Sequence, residues 1–467
     1  MKGNDTLLEG RILPPLMRYI LPGALSLMLQ ALYSLTDLWV VGNYGTEGSI
    51  SAVSCGTQVM ALATAVITGL ATASTVCMAR SLGAGEYGRV SAFVRAQAVL
   101  LGAVGAVMAL ALMLGADRIA CAMNIPEQAY SQMTGYLRVC GAGLIFVTAY
   151  NGIAGLYRSA GNSAWPLLFV AVSGAVNLAG DIVLVAGLHL GAEGAAWATT
   201  GAQGVSVLVS VLCLARKGLP VPCGAKPEIG LLRAMRTILS IGFPVVINDI
   251  FTGISFLAVS GMVNGMGLVA STGIGIAEKL FTFFVLVPTA FLQGLAAFVA
   301  QNVGAGKPRR ARGALRQALA LSLCYGIAMF AVTRWCGLQI AGVFEKDPVF
   351  VKAAADYLRG GSWEYLFLAV TYCMQGYFNG CEKTRRVMFT ALFSALCVRL
   401  PLTWMASQRP ETDMHLLGLI VSAAAGVTAA MCLTCDVWDR AVRAEKSGAE
   451  RRNARFATAR NPHGTKA

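Results

Sequence analysis

The sequence predicts an all-α membrane protein, with twelve transmembrane helices in two parallel six-helix repeats related by a pseudo-twofold axis along the membrane normal. Three observations predict it. The chain is 56% hydrophobic and only 13% charged, with mean hydropathy +0.63, whereas a soluble domain carries roughly 25% charged residues. Twelve apolar runs reach the length of about 20 residues that crossing a bilayer requires, and they lack the period-2 alternation of a lipid-facing barrel. Finally, Ala79-Arg80-Ser81-Leu82-Gly83-Ala84-Gly85 is answered by Ala300-Gln301-Asn302-Val303-Gly304-Ala305-Gly306, about half the chain length further on. Leu21-Pro22-Gly23 and Phe243-Pro244-Val245 keep that offset, as do Gly155-Leu156-Tyr157 and Gly376-Tyr377-Phe378. Duplication in a membrane protein usually builds a transporter with its site between the halves.

The spans follow in order. A polar start up to Arg11 runs into span one (14–41), so no cleavable signal peptide is visible and this helix is expected to remain; Pro22, lacking an N–H, and Gly23 offer it a bend point. Span two (50–78) ends at the first copy of the repeated loop. Spans three (90–114) and four (131–157) precede span five (164–186), which holds Asn177 and Asp181, and span six (191–215), which holds Thr199. The proline-rich stretch 216–230 reads as a cytoplasmic linker between a bundle over 1–215 and another over 231–440. Span seven (232–263) carries Asp249; span eight (268–299) carries Glu278 and Lys279 and ends at the second loop copy. Spans nine (313–334), ten (355–379), eleven (385–407, with Arg399) and twelve (414–438) complete the set. Plentiful Gly, 52 residues, suits helices whose backbones approach closely in lipid. Six spans per half is an even number, so the repeats are parallel rather than inverted.

The net charge of +14 is placed for topology, not for nucleic acid. With the N-terminus inside, only Arg118, Arg138, Arg334, Lys346, Lys352, Arg359 and Arg409 fall in outer segments, and Lys279 and Arg399 inside spans; the remaining basic residues lie on the inner side. That bias is expected to place both termini in the cytoplasm, and the short termini without a transit segment fit a plasma (inner) membrane. The tail 441–467 is basic without an apolar face and is expected to be a disordered strip along anionic lipid. Cys432 and Cys435 have metal spacing but sit in an apolar helix without a second pair, and the sequence shows no cofactor site. Gly304-Ala305-Gly306-Lys307 lacks the first glycine of a phosphate loop and follows a membrane helix. His189, His415 and His463 have no acid or nucleophile at catalytic spacing, so no enzyme is expected and transport must draw on an ion gradient.

A carboxylate at mid-bilayer costs roughly 2.5–3.5 kcal/mol on insertion scales. Asp37, Asp181, Asn177 and Thr199 belong together by depth. Asp37 and Asp181 both lie about 8 Å below the outer surface at 1.5 Å per residue; Asn177 shares the face of Asp181, and Thr199 reaches a similar level. Such hard oxygens suit Na⁺, and the paired acids equally suit a proton. At the repeat offset Asp37 maps to Val259 and Asp181 to Leu402, so the second half lacks the pair. Asp249 and Glu278 are read as substrate, gating or ion-pair groups, with Arg399 a partner for either. Tyr33, Phe146, Tyr150, Trp197, Phe281 and Phe284 are candidates for lining a cleft or for packing.

At these residues the sequence resembles the multidrug and toxic compound extrusion (MATE) transporters, over 12 to about 440. The resemblance is carried by Pro22, Gln30-Ala31-Leu32-Tyr33, Asp37, Val41-Gly42 and Gly45 in span one, and by both loop copies. Leu156-Tyr157-Arg158-Ser159-Ala160-Gly161-Asn162, Asn177-Leu178-Ala179-Gly180-Asp181, Gly191 through Thr199 and Arg399-Leu400-Pro401 add to it. The resemblance implies a monomeric antiporter that exports cationic, amphipathic small molecules in exchange for H⁺ or Na⁺. Gln30, Tyr33, Asp37, Asn151, Asn177, Asp181 and Thr199 match the N-lobe network of the DinF-like branch. The NorM-like branch uses acids in spans seven and ten, and span ten here offers Thr371, Tyr372, Cys373 and Met374 where one is wanted. A lipid-linked oligosaccharide flippase of the same superfamily is the alternative, though it calls for extra spans and a cationic cavity. A membrane sensor or enzyme would need an output domain or catalytic set.

Overall fold

The computed structural model describes residues 5–46, 48–123, 125–409 and 413–460, with side chains described within 7–440. Twelve long helices result. They are α1 (Leu13–Tyr44), α2 (Ser49–Gly83), α3 (Tyr87–Ala122), α4 (Glu127–Ser159), α5 (Ala164–Asp181, continuing as a π-helical stretch Ile182–Gly187) and α6 (Gly191–Lys217). The second half has α7 (Leu231–Asn264), α8 (Leu268–Phe284 and Leu286–Gly304), α9 (Pro308–Trp335) and α10 (Pro348–Gly380). It ends with α11 (Thr384–Ser394, a π-helical Ala395–Arg399, and Leu400–Ser407) and α12 (Met414–Arg460). Eleven are long and apolar enough to cross a membrane; α10 is the more polar exception and packs against α9, α8 and α12. The backbone of α12 runs on as helix to Arg460, into the basic tail. Residues 461–467 of that tail lie outside the described residues.

Backbone groups in lipid must be satisfied internally, and α8 shows how. Pro288 cannot donate to the Phe284 carbonyl and the helix breaks at Val285. The Tyr325 hydroxyl donates to that Phe284 carbonyl instead, at 2.9 Å. In α1, by contrast, Pro22 lies inside an unbroken helix, with the Ser26 hydroxyl donating to the Pro22 carbonyl at 2.8 Å.

Helices α1 and α7 each belong to both lobes. Leu16, Ile20 and Ala24 of α1 sit in a core made by Ala290, Phe291, Leu295 and Phe378 of the C-terminal lobe. Further along the same helix, Val40 and Val41 pack with Val53, Met133 and Ala195 of the N-terminal lobe. Helix α7 mirrors this: Ala234, Ile238 and Ile241 pack among Ala73, Met78 and Phe93, while Val259 and Val263 join Ile274 and Leu417. Pro22 and Pro244 fall close to the two crossovers.

The lobes meet at the end carrying the duplicated loops. A Cβ on Gly83 would fall against the Gln301 backbone, and one on Gly304 against the Arg80 carbonyl, so α2 and α8 cross backbone to backbone. Gln301 Nε2 donates to the Ser159 carbonyl at 2.5 Å, and Arg80 pairs with Glu382 across the lobes. At the repeat offset Glu382 replaces Gly161; the glycine has φ 79° and the glutamate φ 58°. A left-handed glutamate is strained by sterics that glycine escapes, which the bond to Arg80 offsets. The N-terminal segment is tied to the same end: Arg310 donates to the carbonyls of Leu7 (3.1 Å), Glu9 (2.8 Å) and Gly10 (2.6 Å).

Burial raises the Glu382 carboxyl above its ordinary range, while Arg80 and Arg89 pull it down. The group therefore holds its proton more tightly with the lobes together than when exposed. Closure of this end should strengthen as pH falls from neutral through the raised value towards the ordinary carboxyl range. Spin-label distances across the loop end test this, and Glu382→Gln should flatten the pH response; an unchanged response would assign it elsewhere.

Candidate functional site

Asp37 projects from α1 and Asp181 from the last α-helical turn of α5. Gly180 lets α5 lie against α6, where its Cβ would come 2.9 Å from that of Ala198. The π-helical stretch beginning at Ile182 widens the helix directly after Asp181; such bulges recur at functional sites. Asp37 is 6% exposed, Asn177 2% and Asp181 0%, and the carboxyls of Asp37 and Asp181 are neighbours. Asn177 Nδ2 donates to Thr199 Oγ1 at 3.3 Å. Asp37 Oδ1, both Asp181 carboxyl oxygens and Asn177 Oδ1 are buried without a hydrogen-bond donor among the described residues. Four hard oxygen acceptors therefore converge with nothing to satisfy them. A buried acceptor left so costs about 1–3 kcal/mol, and this is the place in the N-terminal lobe where that cost is concentrated.

These groups back onto a cavity of about 570 Å³. Gln30, Tyr33 and Asp37 line it from one face of α1, Asn151 from α4 and Thr199 from α6, with Gly23 at its edge. Asn151 Nδ2 turns to its own helix, donating to the Val147 carbonyl at 2.9 Å. Asn177 and Asp181 are not in the wall; they reach the cavity through Thr199 and Asp37. Of the aromatic candidates, Tyr33 and Tyr150 line this cavity, whereas Phe146 and Trp197 are exposed on the outside of the bundle, as lipid-facing residues are.

A second cavity of about 380 Å³ lies in the C-terminal lobe, and Thr68 and Gln293 border both. Asp249 and Arg399 line it, with Asn248 Nδ2 donating to Asp249 Oδ1 at 3.0 Å. Glu278, read as a substrate, gating or ion-pair group, lines neither large cavity. It borders a pocket of about 20 Å³ and accepts from Ser260 Oγ at 2.7 Å. Arg399, expected beside Asp249 or Glu278, makes no ion pair within bonding distance among the described residues; its guanidinium lies 3.9 Å over the Phe256 ring. Glu364, in the wall of both C-terminal pockets and 8% exposed, is the acid that sequence reasoning missed. It lies two turns before Thr371, and a carboxylate nine residues inside span ten was itself the signal.

The MatE family model matches residues 22–183 and again 244–405, two equal segments that cover well over half the chain. The chain belongs to the MatE family. MatE proteins are transporters and not enzymes, and the two matched segments coincide with the duplicated halves. Among curated relatives, this MatE chain is 22% identical over 403 residues to the probable multidrug resistance protein YpnP of Bacillus subtilis, covering 86% of this chain and 90% of that one. It is 22% identical over 387 residues to the multidrug export protein MepA of Staphylococcus haemolyticus, covering 82% and 85%. A solved MATE structure in the bent conformation superposes with TM-score 0.88 at 17% identity, covering 96% of this chain and 99% of that one. The MatE fold is thus shared along almost the whole length.

Proposed function

We propose that this MatE protein is a monomeric secondary antiporter of a prokaryotic plasma membrane, exporting cationic amphipathic compounds in exchange for H⁺ or Na⁺. The observation that carries this reading is the buried Asp37–Asp181 pair, short of donors, behind the wall of the N-terminal cavity. The export names of the relatives support the direction, and the basic residues at the loop end support a cytoplasmic placement of that end. The lobes meet there, so the proposed state faces outward. Because the acid pair and its Asn and Thr neighbours lie in the N-terminal lobe, the DinF-like arrangement is favoured, with no resident cofactor.

The cycle follows from charge. With Asp37 and Asp181 ionised, the cavity holds a drug cation by attraction in a medium of low dielectric. Entry of the coupling ion supplies the positive charge that Asp37, Asp181, Asn177 and Thr199 would hold. The attraction for drug then falls; linked sites of this kind typically shift affinity about 5–150-fold. Helix α1, which carries Asp37 in one lobe and Leu16 and Ile20 in the other, passes the change to the closure, with bending at Pro22 and Gly23. A flippase of lipid-linked sugars fits less well, since Arg158 and Arg399 are the cations that the two cavity walls contribute.

Ethidium flux in proteoliposomes under an imposed pH gradient, and separately a Na⁺ gradient, tests the reading. One gradient should drive ethidium against its concentration in wild type and fail to do so in Asp37→Asn. Movement in the variant equal to wild type would remove Asp37 from the mechanism. Failure of both gradients in folded wild type would reject ion-driven export of this cation.

A further inference from the structure

The N-terminal cavity is long. Tyr19 and Asp37 both line it from α1, and they are about 27 Å apart along the helix at 1.5 Å per residue. A hydrocarbon core is about 30 Å thick. The volume is about 570 Å³, and a water takes about 30 Å³ in the liquid, so a file of waters fits from one end to the other. The hydroxyls of Ser26, Thr64, Thr68 and Ser173 stand along the wall. A wet passage of this length would carry ions straight past Asp37 if its loop end were open.

Among the described residues, Asp37 and Arg158 are the charged side chains of this wall, and they stand at opposite ends. Arg158 lies in the last turn of α4, at the loop end, and is half-buried. Its guanidinium has no ion pair and no hydrogen-bond acceptor among the described residues. A basic residue at this level ordinarily turns to lipid headgroups; Arg158 lines the cavity instead. Its backbone is tied to two other helices. The Arg158 carbonyl accepts from the Tyr19 hydroxyl at 3.1 Å, and the Ser159 carbonyl accepts from Gln301 Nε2 at 2.5 Å. Tyr19 adjoins Ile20, which is seated in the core of the second lobe, so both bonds cross the junction between lobes.

We propose that Arg158 is an electrostatic barrier at the loop end of the N-terminal cavity, which keeps the coupling cation from crossing to the cytoplasm while the lobes are closed there. A fixed, unpaired arginine in a narrow aqueous path turns cations back by repulsion, as in pores that pass water but not protons. The bonds from Tyr19 and Gln301 hold it in place while the loop end is closed and release it when the lobes part. The proposal rests on the reading of this cavity as the path of the coupling ion.

The test reads uncoupled ion flux through the full-length protein in liposomes, with no drug present. A potassium diffusion potential, negative inside, draws cations inward; a trapped pH-sensitive dye reports H⁺, and radiolabelled Na⁺ is counted separately. Wild type should pass no more of either than protein-free vesicles. Arg158→Gln should raise the flux of one of them at least about tenfold, equivalent to about 1.4 kcal/mol on the barrier. Arg158→Met should leak alike, and serves where Arg158→Gln does not fold. Arg158→Lys, which keeps the charge, should stay tight. Uncharged variants as tight as wild type overturn the proposal. So does equal leak in Arg158→Lys, or escape of a trapped neutral sugar along with the ion, since either would make Arg158 a packing residue. A wild type that exports nothing under either gradient, but whose Arg158→Gln variant leaks cations, rejects the exporter and keeps the barrier. An active exporter whose uncharged variants stay tight rejects the barrier and keeps the exporter.

Discussion

Asp181→Asn should give a protein that is more stable and does not transport. Asp181 is fully buried, neither of its carboxyl oxygens receives a hydrogen bond among the described residues, and the facing Asp37 Oδ1 is equally unsatisfied. Two neighbouring carboxyls thus both hold acceptors without a donor. The substitution keeps the shape and adds an N–H₂ group directed at Asp37, relieving an unsatisfied buried acceptor worth about 1–3 kcal/mol. Thermal unfolding in detergent should shift upward. Export should fall at least about 100-fold, as expected when a group whose charge must change with each cycle is fixed neutral. Asp37→Asn/Asp181→Asn should transport no worse than either single variant, because one coupled pair is lost in every case. A variant that is both inactive and less stable would show that Asp181 serves packing. Normal export would show that the pair has no part in coupling.

Gly304→Val should hold the loop end apart. The added carbon would lie against the Arg80 carbonyl, which is backbone and has no rotamer into which to retreat. Overpacking by a side chain costs about 1–3 kcal/mol even where neighbours give way, and each 1.4 kcal/mol is tenfold in the population of the closed arrangement. Gly83→Val should behave alike, since its added carbon meets the Gln301 backbone at the related point. The check is disulfide formation between Arg80→Cys and Glu382→Cys in a background free of other cysteines. Rapid oxidation is expected with both glycines present, and a loss of at least about tenfold with either valine. Undiminished cross-linking with normal export would mean that the contact is not needed for closure. Gly85 and Gly306, with φ of 73° and 69°, complete the turns that bring these positions together.

The span pattern and the duplication were legible because hydropathy and a fixed offset are properties of the chain itself. Counting residues at 1.5 Å each puts Asp37 and Asp181 at one level, and in the structure the two carboxyls are neighbours. Counting does not report which helix a side chain faces, and so the turn of Glu278 towards Ser260 could not be read from it. Glu364 escaped because α10 is polar along much of its length, and one further charge does not stand out there as it does in an apolar run. The place of Arg399 over Phe256 depends on the local widening of α11, which has no signature in periodicity. Nor does an amphipathic pattern say which lobe covers each end of α1.

That last point bears on how the molecule comes to exist. Each half of the chain lends the other one end of a strut: Leu16 and Ile20 fill a socket in the second half, and Ile238 and Ile241 fill one in the first. A single half made alone would carry an empty socket and a strut end with nowhere to rest, so it is not an independent folding unit. Two fragments cut within 218–230 and produced together should reassemble into a working carrier, while either produced alone should be degraded.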